Sequence, residues 1–332
     1  MATVPLVLAR TGPRPIDLYR DRFQVIELLD LVFGPTLDSR GRRLLHSQTA
    51  LTHHPTLLTH LNYLLKNIPA GYVWQEQGRI VGNVSIIPAK TPGRYILANV
   101  AVHPAYRRRG IARLLLQQTL EQLATRQGYA VLLQVEQSNP QAIALYRSLG
   151  FADLGATTTW LLASGRLRQL AVPNSERSPD RFGDYLLRPL RPPEWRTAWR
   201  LDQNSYPYNL DPLPHQTYKN GWWHWLENFF NGRQVESWVA VNLAGRMLGL
   251  ATITSQWGQH HELTLRIDPA GRGHLERLLL AKLLRRLSYL AHRNVRIDHP
   301  AGDDHLTNLF HEANFTSQRT LLTMRFDPTG SQ

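Results

Sequence analysis

The sequence predicts two mixed α/β domains in tandem, and three observations lead there. One is a strand–turn–helix–strand–helix–strand unit between about Tyr95 and Phe151. Another is an altered copy of that unit about 164 positions later. The third is the stretch between them, Ser164–Gly183, which holds Gly165, Pro173, Asn174, Ser175, Ser178 and Pro179 among scattered charges. The expected ranges are a first domain over 1–163, a linker over 164–183 and a second domain over 184–332.

In the first copy, Pro5–Ala9 reads as an opening strand and Arg40–Leu65 as an amphipathic helix pair. Val73–Glu76, Gly78-Arg79 and Ile80–Ile86 read as a hairpin. Tyr95–Val102 is a β-rich run that His103-Pro104 ends. Ile111–Ala124 reads as a helix, because Ala112, Leu116, Leu120 and Leu123 recur at helical spacing. Gly128 separates it from a second strand, Ala130–Val135. Ser138-Asn139-Pro140 then opens a short helix with Ala142, Leu145 and Tyr146, stopped at Leu149-Gly150-Phe151.

In the second copy, Leu186-Leu187-Arg188 restarts a strand, and Ser237–Val241, Ala244-Gly245-Arg246 and Leu248–Ile253 form a hairpin. Pro269 lies 165 positions after Pro104. Leu278-Leu279-Leu280 lie 164 after Leu114-Leu115-Leu116, as Phe310 does after Tyr146 and Phe315 after Phe151. One deletion inside the turn before the helix explains the step.

That turn is where the charge is unexpected. Arg107-Arg108-Arg109 run into Gly110-Ile111-Ala112 at the start of a helix, which already carries partial positive charge and unpaired N–H groups. Carboxylates are expected there. Three guanidinium groups fit an anion at that end, with Gly110 letting the backbone come close. The competing reading is an exposed, solvated basic turn. In the second copy the turn is one residue shorter. His274 and Leu275 follow Gly271-Arg272-Gly273, and Glu276 adds negative charge where a phosphate would sit.

Composition narrows the class. The chain has 332 residues, no cysteine and a formal net charge of +13. Disulfides, thiolate metal sites and a cysteine nucleophile are therefore excluded. No apolar run approaches 18 residues and the N-terminus lacks a signal pattern, so a cytoplasmic protein without a membrane partner is expected. The excess of arginine calls for an anionic partner. Helix-turn-helix, zinc-finger and paired-aromatic RNA motifs are missing, which argues against nucleic acid as the main partner. His53-His54 and His260-His261 make poor chelates, and no metal is expected.

The stretch NVAVHPAYRRRGIARLLL…LLQVEQSNPQAIALYRSLGF resembles the GCN5-related N-acetyltransferases (GNAT). Arg107, Gly110 and Ala112 meet the Gln/Arg-x-x-Gly-x-Gly/Ala signature. Asn139…Leu145-Tyr146…Leu149-Gly150-Phe151 meets the second half of the pattern. Within the family this half is most similar to the enzymes that acetylate ribosomal-protein N-termini. The resemblance covers roughly Val73 to Leu162.

It implies a central mixed, splayed sheet flanked by helices in each domain. It also implies acetyl-CoA as co-substrate and direct transfer of its acetyl group to a primary amine of a small molecule or peptide. By the same resemblance, the turn Arg107, Arg108, Arg109, Gly110, Ile111, Ala112 and Arg113 binds the CoA phosphates. The strand Val100-Ala101-Val102 supplies backbone N–H groups to pantetheine and the carbonyl oxygen. Tyr146 acts as general acid toward the thiolate, its alternative being a residue that packs the helix on the sheet. Asn139 binds the CoA arm or is a turn residue before Pro140.

The base departs from the pattern. Gln134 stands where these relatives carry a glutamate. Glu136, two residues on and on the same face, is a candidate base or a solvated rim residue. His103, a water relay and an already deprotonated substrate are the other options. Catalysis is expected in the first copy, since the second has the altered turn and Phe310 in place of Tyr146. Gln134 also leaves open a non-catalytic acetyl-CoA-binding sensor or interaction module. Trp222-Trp223-His224-Trp225 and Phe229-Phe230 read as core of the second copy.

Overall fold

A computed structural model describes residues 11–34, 70–89, 91–125, 129–167, 181–205, 218, 233–256 and 259–328. The expected strand Pro5–Ala9, the helix pair Arg40–Leu65, Gly128 and the Trp222–Phe230 aromatic cluster lie outside the described residues. Contacts divide the chain into two compact units that cut across the linear halves. Unit 1 comprises 1–134, 141–152 and 324–332, and unit 2 comprises 135–140 and 153–323.

In unit 1 the strands run in the order β1-β2-β3-β4-β5. They are β1 (Gly12–Pro15), β2 (Gly71–Glu76), β3 (Arg79–Pro88), β4 (Arg94–Val102) and β5 (Ala130–Glu136). The first four pair antiparallel and β5 pairs parallel to β4. The sequence reading missed β1, whose Pro13 and Pro15 suit an edge strand. Arg14 ties β1 to the start of helix α1 (Arg22–Phe33) through a two-pronged bond to Asp21 at 2.6 and 2.7 Å. Between β4 and β5 runs α2 (Ile111–Ala124), with the bounds the periodicity predicts. Its buried stripe is Ile111, Leu115, Leu116, Thr119, Leu120 and Leu123, while Ala112 is only half-buried. Each fully buried leucine contributes about 1.5–3 kcal/mol. Helix α3 (Pro140–Ser148) carries Tyr146.

Unit 2 repeats the plan. Its strands are β6 (Ala152–Leu162), β7 (Arg181–Phe182), β8 (Tyr185–Pro189), β9 (Arg233–Asn242), β10 (Met247–Gln256), β11 (His261–Ile267) and β12 (Val295–Pro300). They run in the order β6-β12-β11-β10-β9-β8-β7, and only β11–β12 is parallel. Helix α4 (Ser164–Leu167) is one turn, with Leu167 in the core. Helices α5 (Trp195–Ser205), α6 (Glu276–Leu287) and α7 (Asp304–Glu312) correspond to α1, α2 and α3. Arg188 grips Glu194 at 2.7 and 2.6 Å, as Arg14 grips Asp21.

The last strands are exchanged. β6, which closes the first half in sequence, pairs antiparallel with β12. Its Trp160 lies 5.4 Å from Phe310 within the core of unit 2. β13 (Thr316–Phe326) closes the second half, yet its end, from Met324, belongs to unit 1. There Phe326 meets Phe151 at 5.5 Å and Tyr129 at 6.5 Å. No helix among the described residues is long and apolar enough to cross a membrane.

Candidate functional site

β4 pairs with β5 only over Arg94–Leu97 and Ala130–Leu133. Past Leu97 the strands part, which is the splay expected of each sheet. On its other edge β4 is bulged. Asn83 faces Ala101 and Ser85 faces Ala98, so Asn99 and Val100 together oppose Val84. Asn99 takes φ +54°, a conformation asparagine tolerates. The fully buried Asn83 amide pins the bulge by donating to the Asn99 carbonyl at 2.8 Å and Ser85 Oγ at 3.2 Å. Val100-Ala101-Val102 therefore follow a bulge and have no ladder to β5.

His103 leads into a 3₁₀ turn, Pro104–Tyr106, and its Nδ1 accepts from the Ala105 N–H at 3.2 Å. It caps the turn. Arg107 Nε donates to the Val102 carbonyl at 3.3 Å. Arg109 pairs with Glu76 at 3.3 Å and lies over the Tyr106 ring at 4.8 Å. Arg113 donates to Ser148 Oγ at 2.7 Å. Among the described residues the Arg108 guanidinium has no partner, and Arg108 itself sits at φ +63°. Gly110, at φ +76°, opens α2; open space surrounds its Cβ position, so backbone conformation alone demands glycine. No side chain caps this end and no acid lies in the first turn. Ile111 points into the core and offers only its backbone N–H. An uncapped helix start with an uncommitted guanidinium beside it suits an anion.

Tyr146 is 6% exposed and edges onto Phe151 at 5.9 Å. Burial pushes its phenol up to about 12. At neutral pH it is a proton donor.

The corresponding turn in unit 2 is stoppered. After the 3₁₀ turn Pro269–Gly271, the N–H of Gly273 is held at 2.8 Å by the Glu276 carboxylate, which is 3% exposed. Where β4 has Ala101, β11 has Arg266, in a buried ion pair with Asp202 at 2.7 Å. Phe310, fully buried, takes the place of Tyr146. His261, one of the paired histidines, bonds Ser255 at 2.7 Å and the Ala291 carbonyl at 2.8 Å within the sheet.

Residues 39–151 match the family described as Acetyltransferase (GNAT) family. Over the whole chain, a GCN5-related N-acetyltransferase from Sphaerobacter thermophilus superposes with a TM-score of 0.60 at 13% identity, covering 94% of both chains. A tandem GNAT protein from the clavulanic acid biosynthesis pathway covers 97% of this chain and 100% of its own, with a TM-score of 0.54 at 16% identity. The chain has the fold of a tandem GNAT protein. Among curated relatives, the [ribosomal protein bS18]-alanine N-acetyltransferase of Salmonella typhimurium is 49% identical over 57 residues, 17% of this chain and 38% of that protein. The N-alpha-acetyltransferase RimI of Mycobacterium tuberculosis is 37% identical over 90 residues, 26% of this chain. The chain spans 55% of the length of the latter.

The expected site residues do not all fall in one unit. The turn, Val100–Val102 and Tyr146 belong to unit 1. Glu136 and Asn139 lie on segment 135–140, which counts with unit 2. There Asn139 donates its backbone N–H to the Glu136 carbonyl at 2.9 Å, and Gln137 donates to Thr320 at 2.9 Å. Gln134 is exposed and Glu136 half-buried. Two residues that shape this region escaped the sequence reading. Asn83 carried no signal, since its role is set by a bulge two strands can show only when paired. Gly82 carried a weak one, a glycine inside a strand. A Cβ there would stand 2.8 Å from Ile111 Cγ2, so glycine brings α2 close to β3.

Proposed function

We propose that this protein is an acetyl-CoA-dependent N-acetyltransferase of the cytoplasm, with the chemistry in the first copy. The observation that carries this is the contrast between two turns of one design. The first leaves its helix N-terminus uncapped and flanked by arginines. The second fills the equivalent place with Glu276. Phosphates of CoA suit the first, and the carboxylate of Glu276 repels them from the second. The likeness to the bS18-alanine and RimI enzymes supports a peptide N-terminus as acceptor, with small amines as the alternative.

The transfer we propose is direct. The amine nitrogen attacks the thioester carbonyl carbon and the C–N bond forms. Backbone N–H groups of Val100-Ala101-Val102, free of a ladder to β5, hold the oxyanion. The C–S bond then breaks with its electron pair on sulfur, and Tyr146 gives that sulfur its proton. Glu136 takes the proton that the amine loses, directly or through water. Asn139 and the turn Arg107–Arg113 bind the CoA arm and phosphates. Gln134, lacking a carboxylate, favours the second reading, a module that binds acetyl-CoA without turnover.

Calorimetric titration of acetyl-CoA tests the site. One molecule per chain is expected, with no binding by an Arg109→Glu, Gly110→Asp variant. Two molecules per chain would refute the single-site assignment, and none would sink the reading. Thiol release is then followed with a panel of an N-terminal-alanine peptide, lysine, spermidine and glucosamine. Binding without release from any of them would select the sensor.

A further inference from the structure

We propose that Phe326, on the last strand of the second half, is a positioning residue for Tyr146. The proposal rests on the reading of Tyr146 as general acid. Phe326 lies 180 positions after Tyr146. Even so, residues 324–332 belong to the same compact unit as α3. The Phe326 ring lies against Phe151 at 5.5 Å, and Phe151 in turn edges onto Tyr146 at 5.9 Å. The Phe151 N–H donates to the Tyr146 carbonyl at 3.1 Å, closing the helix end on the tyrosine. Gly150, at φ +90°, has no spare room, since a Cβ there would meet Phe326 Cε2 at 3.2 Å. Phe326 thus presses on the two residues that end α3 just after Tyr146.

Unit 2 holds a related arrangement, in which the brace lies on the ring that takes the place of Tyr146 rather than on the one that follows it. Phe315 donates its N–H to the Phe310 carbonyl at 2.9 Å and packs on that ring at 5.6 Å. Trp160, from the last strand of the first half, lies on Phe310 at 5.4 Å. Each half ends by supplying an aromatic brace to the helix end of the other unit. In unit 2 the braced ring has no hydroxyl. In unit 1 the brace decides where a phenolic proton sits.

That place matters because the proton must reach sulfur as the C–S bond opens, and a misplacement near 1 Å costs about a hundredfold. The CoA phosphates are held elsewhere, at the N-terminus of α2. Loosening Phe326 therefore slows the chemical step and leaves acetyl-CoA binding alone.

The test compares full-length wild type, Phe326→Ala, Phe326→Leu, Tyr146→Phe and the Phe326→Ala, Tyr146→Phe double variant. Each is assayed with acetyl-CoA and the panel amine that gives most thiol release. Phe326→Ala is expected to lower kcat by about 10- to 100-fold with the KM for acetyl-CoA within about twofold of wild type. Phe326→Leu should recover most of the rate, and the double variant should be no slower than Tyr146→Phe. Losses that multiply in the double variant, or an unchanged kcat in Phe326→Ala, would overturn the proposal. A fully active Tyr146→Phe would instead remove the general acid on which it rests, and a wild type without turnover would remove both. Should Phe326→Ala fail to fold in thermal melts, Phe326→Leu in the two Tyr146 backgrounds gives the same comparison.

Discussion

Tyr146 packs α3 and, in the proposed function, also serves as general acid, and its surroundings suit both. Its ring fills the space between α3 and the sheet at 6% exposure. The same burial holds its phenol at about 12, so the proton stays in place at neutral pH. A thiol near 8.5 is the stronger acid, so transfer to a fully formed thiolate would run uphill; in the proposed step the phenol donates as the C–S bond opens, and the phenolate regains its proton from solvent. Removing only the hydroxyl separates the tasks. Tyr146→Phe should keep the melting temperature within a few degrees and lower kcat by about 10²- to 10⁴-fold. Because an acid works only while protonated, the wild-type kcat should show no falling limb from Tyr146 between pH 7 and about 10. A limb centred near pH 10 would mean an ordinary, exposed tyrosine.

Helix α2 lacks the features that stabilise a helix by itself. Its inner stripe is apolar and its start lacks the cap and acid that stabilise ordinary helices. Packing must hold it instead, and Gly82 is where it comes closest to the sheet. Gly82→Ala puts a methyl 2.8 Å from Ile111 Cγ2 and 3.1 Å from Trp74 Cβ. The cost should be about 1–3 kcal/mol in urea unfolding. Acetyl-CoA affinity should fall with it, since Ile111 is the first residue of the phosphate-facing turn. A variant that unfolds at the wild-type urea midpoint would show that the close approach is slack. Unit 2 packs its counterpart the same way, with a Cβ on Gly249 only 2.7 Å from Leu279 Cδ1.

At the scale of the whole molecule, exchange of the last strands makes the two halves poor candidates for separation. A chain cut after residue 163 would leave β6 without β12 and Phe151 without Phe326. It should be insoluble or molten by near-ultraviolet circular dichroism, and a cooperative melt would refute this. Acid should also weaken the fold through unit 2. Burial lowers the pKa values of His261 and His299 from the ordinary 6.5, so the unfolded chain takes up their protons first. Stability is complete above about pH 7 and falls as pH drops through 6.5. Asp303, held down to about 2 by its bond to His299, adds a second loss between about 4 and 2. The urea midpoint should therefore be lower at pH 5.5 than at 7.5, and less so in a His261→Asn, His299→Asn variant. A flat profile in the wild type would contradict the burial of these histidines.

Much of this was legible because it is local. The bounds of α2 follow from its 3.6-residue periodicity, the uncapped basic turn from charge at the wrong helix end, and the second copy from a nearly constant offset. Glu276 announced itself as a carboxylate at a phosphate position, and the structure puts its oxygen on the Gly273 N–H. Other features depend on which strands pair, and pairing is non-local. The bulge at Asn99, the clamp by Asn83 and the ion pair of Arg266 with Asp202 exist only once β3, β4, β11 and α5 are in register. The exchange of β6 and β13 is the largest such case. Both strands are β-rich runs of 11 residues, and neither sequence names its partner. The sequence by itself determined the repeat, the bounds of α2 and the place of the basic turn at its start; the tertiary structure decided which half braces which, because a strand's partner is chosen by packing across the sheet rather than by its own residues.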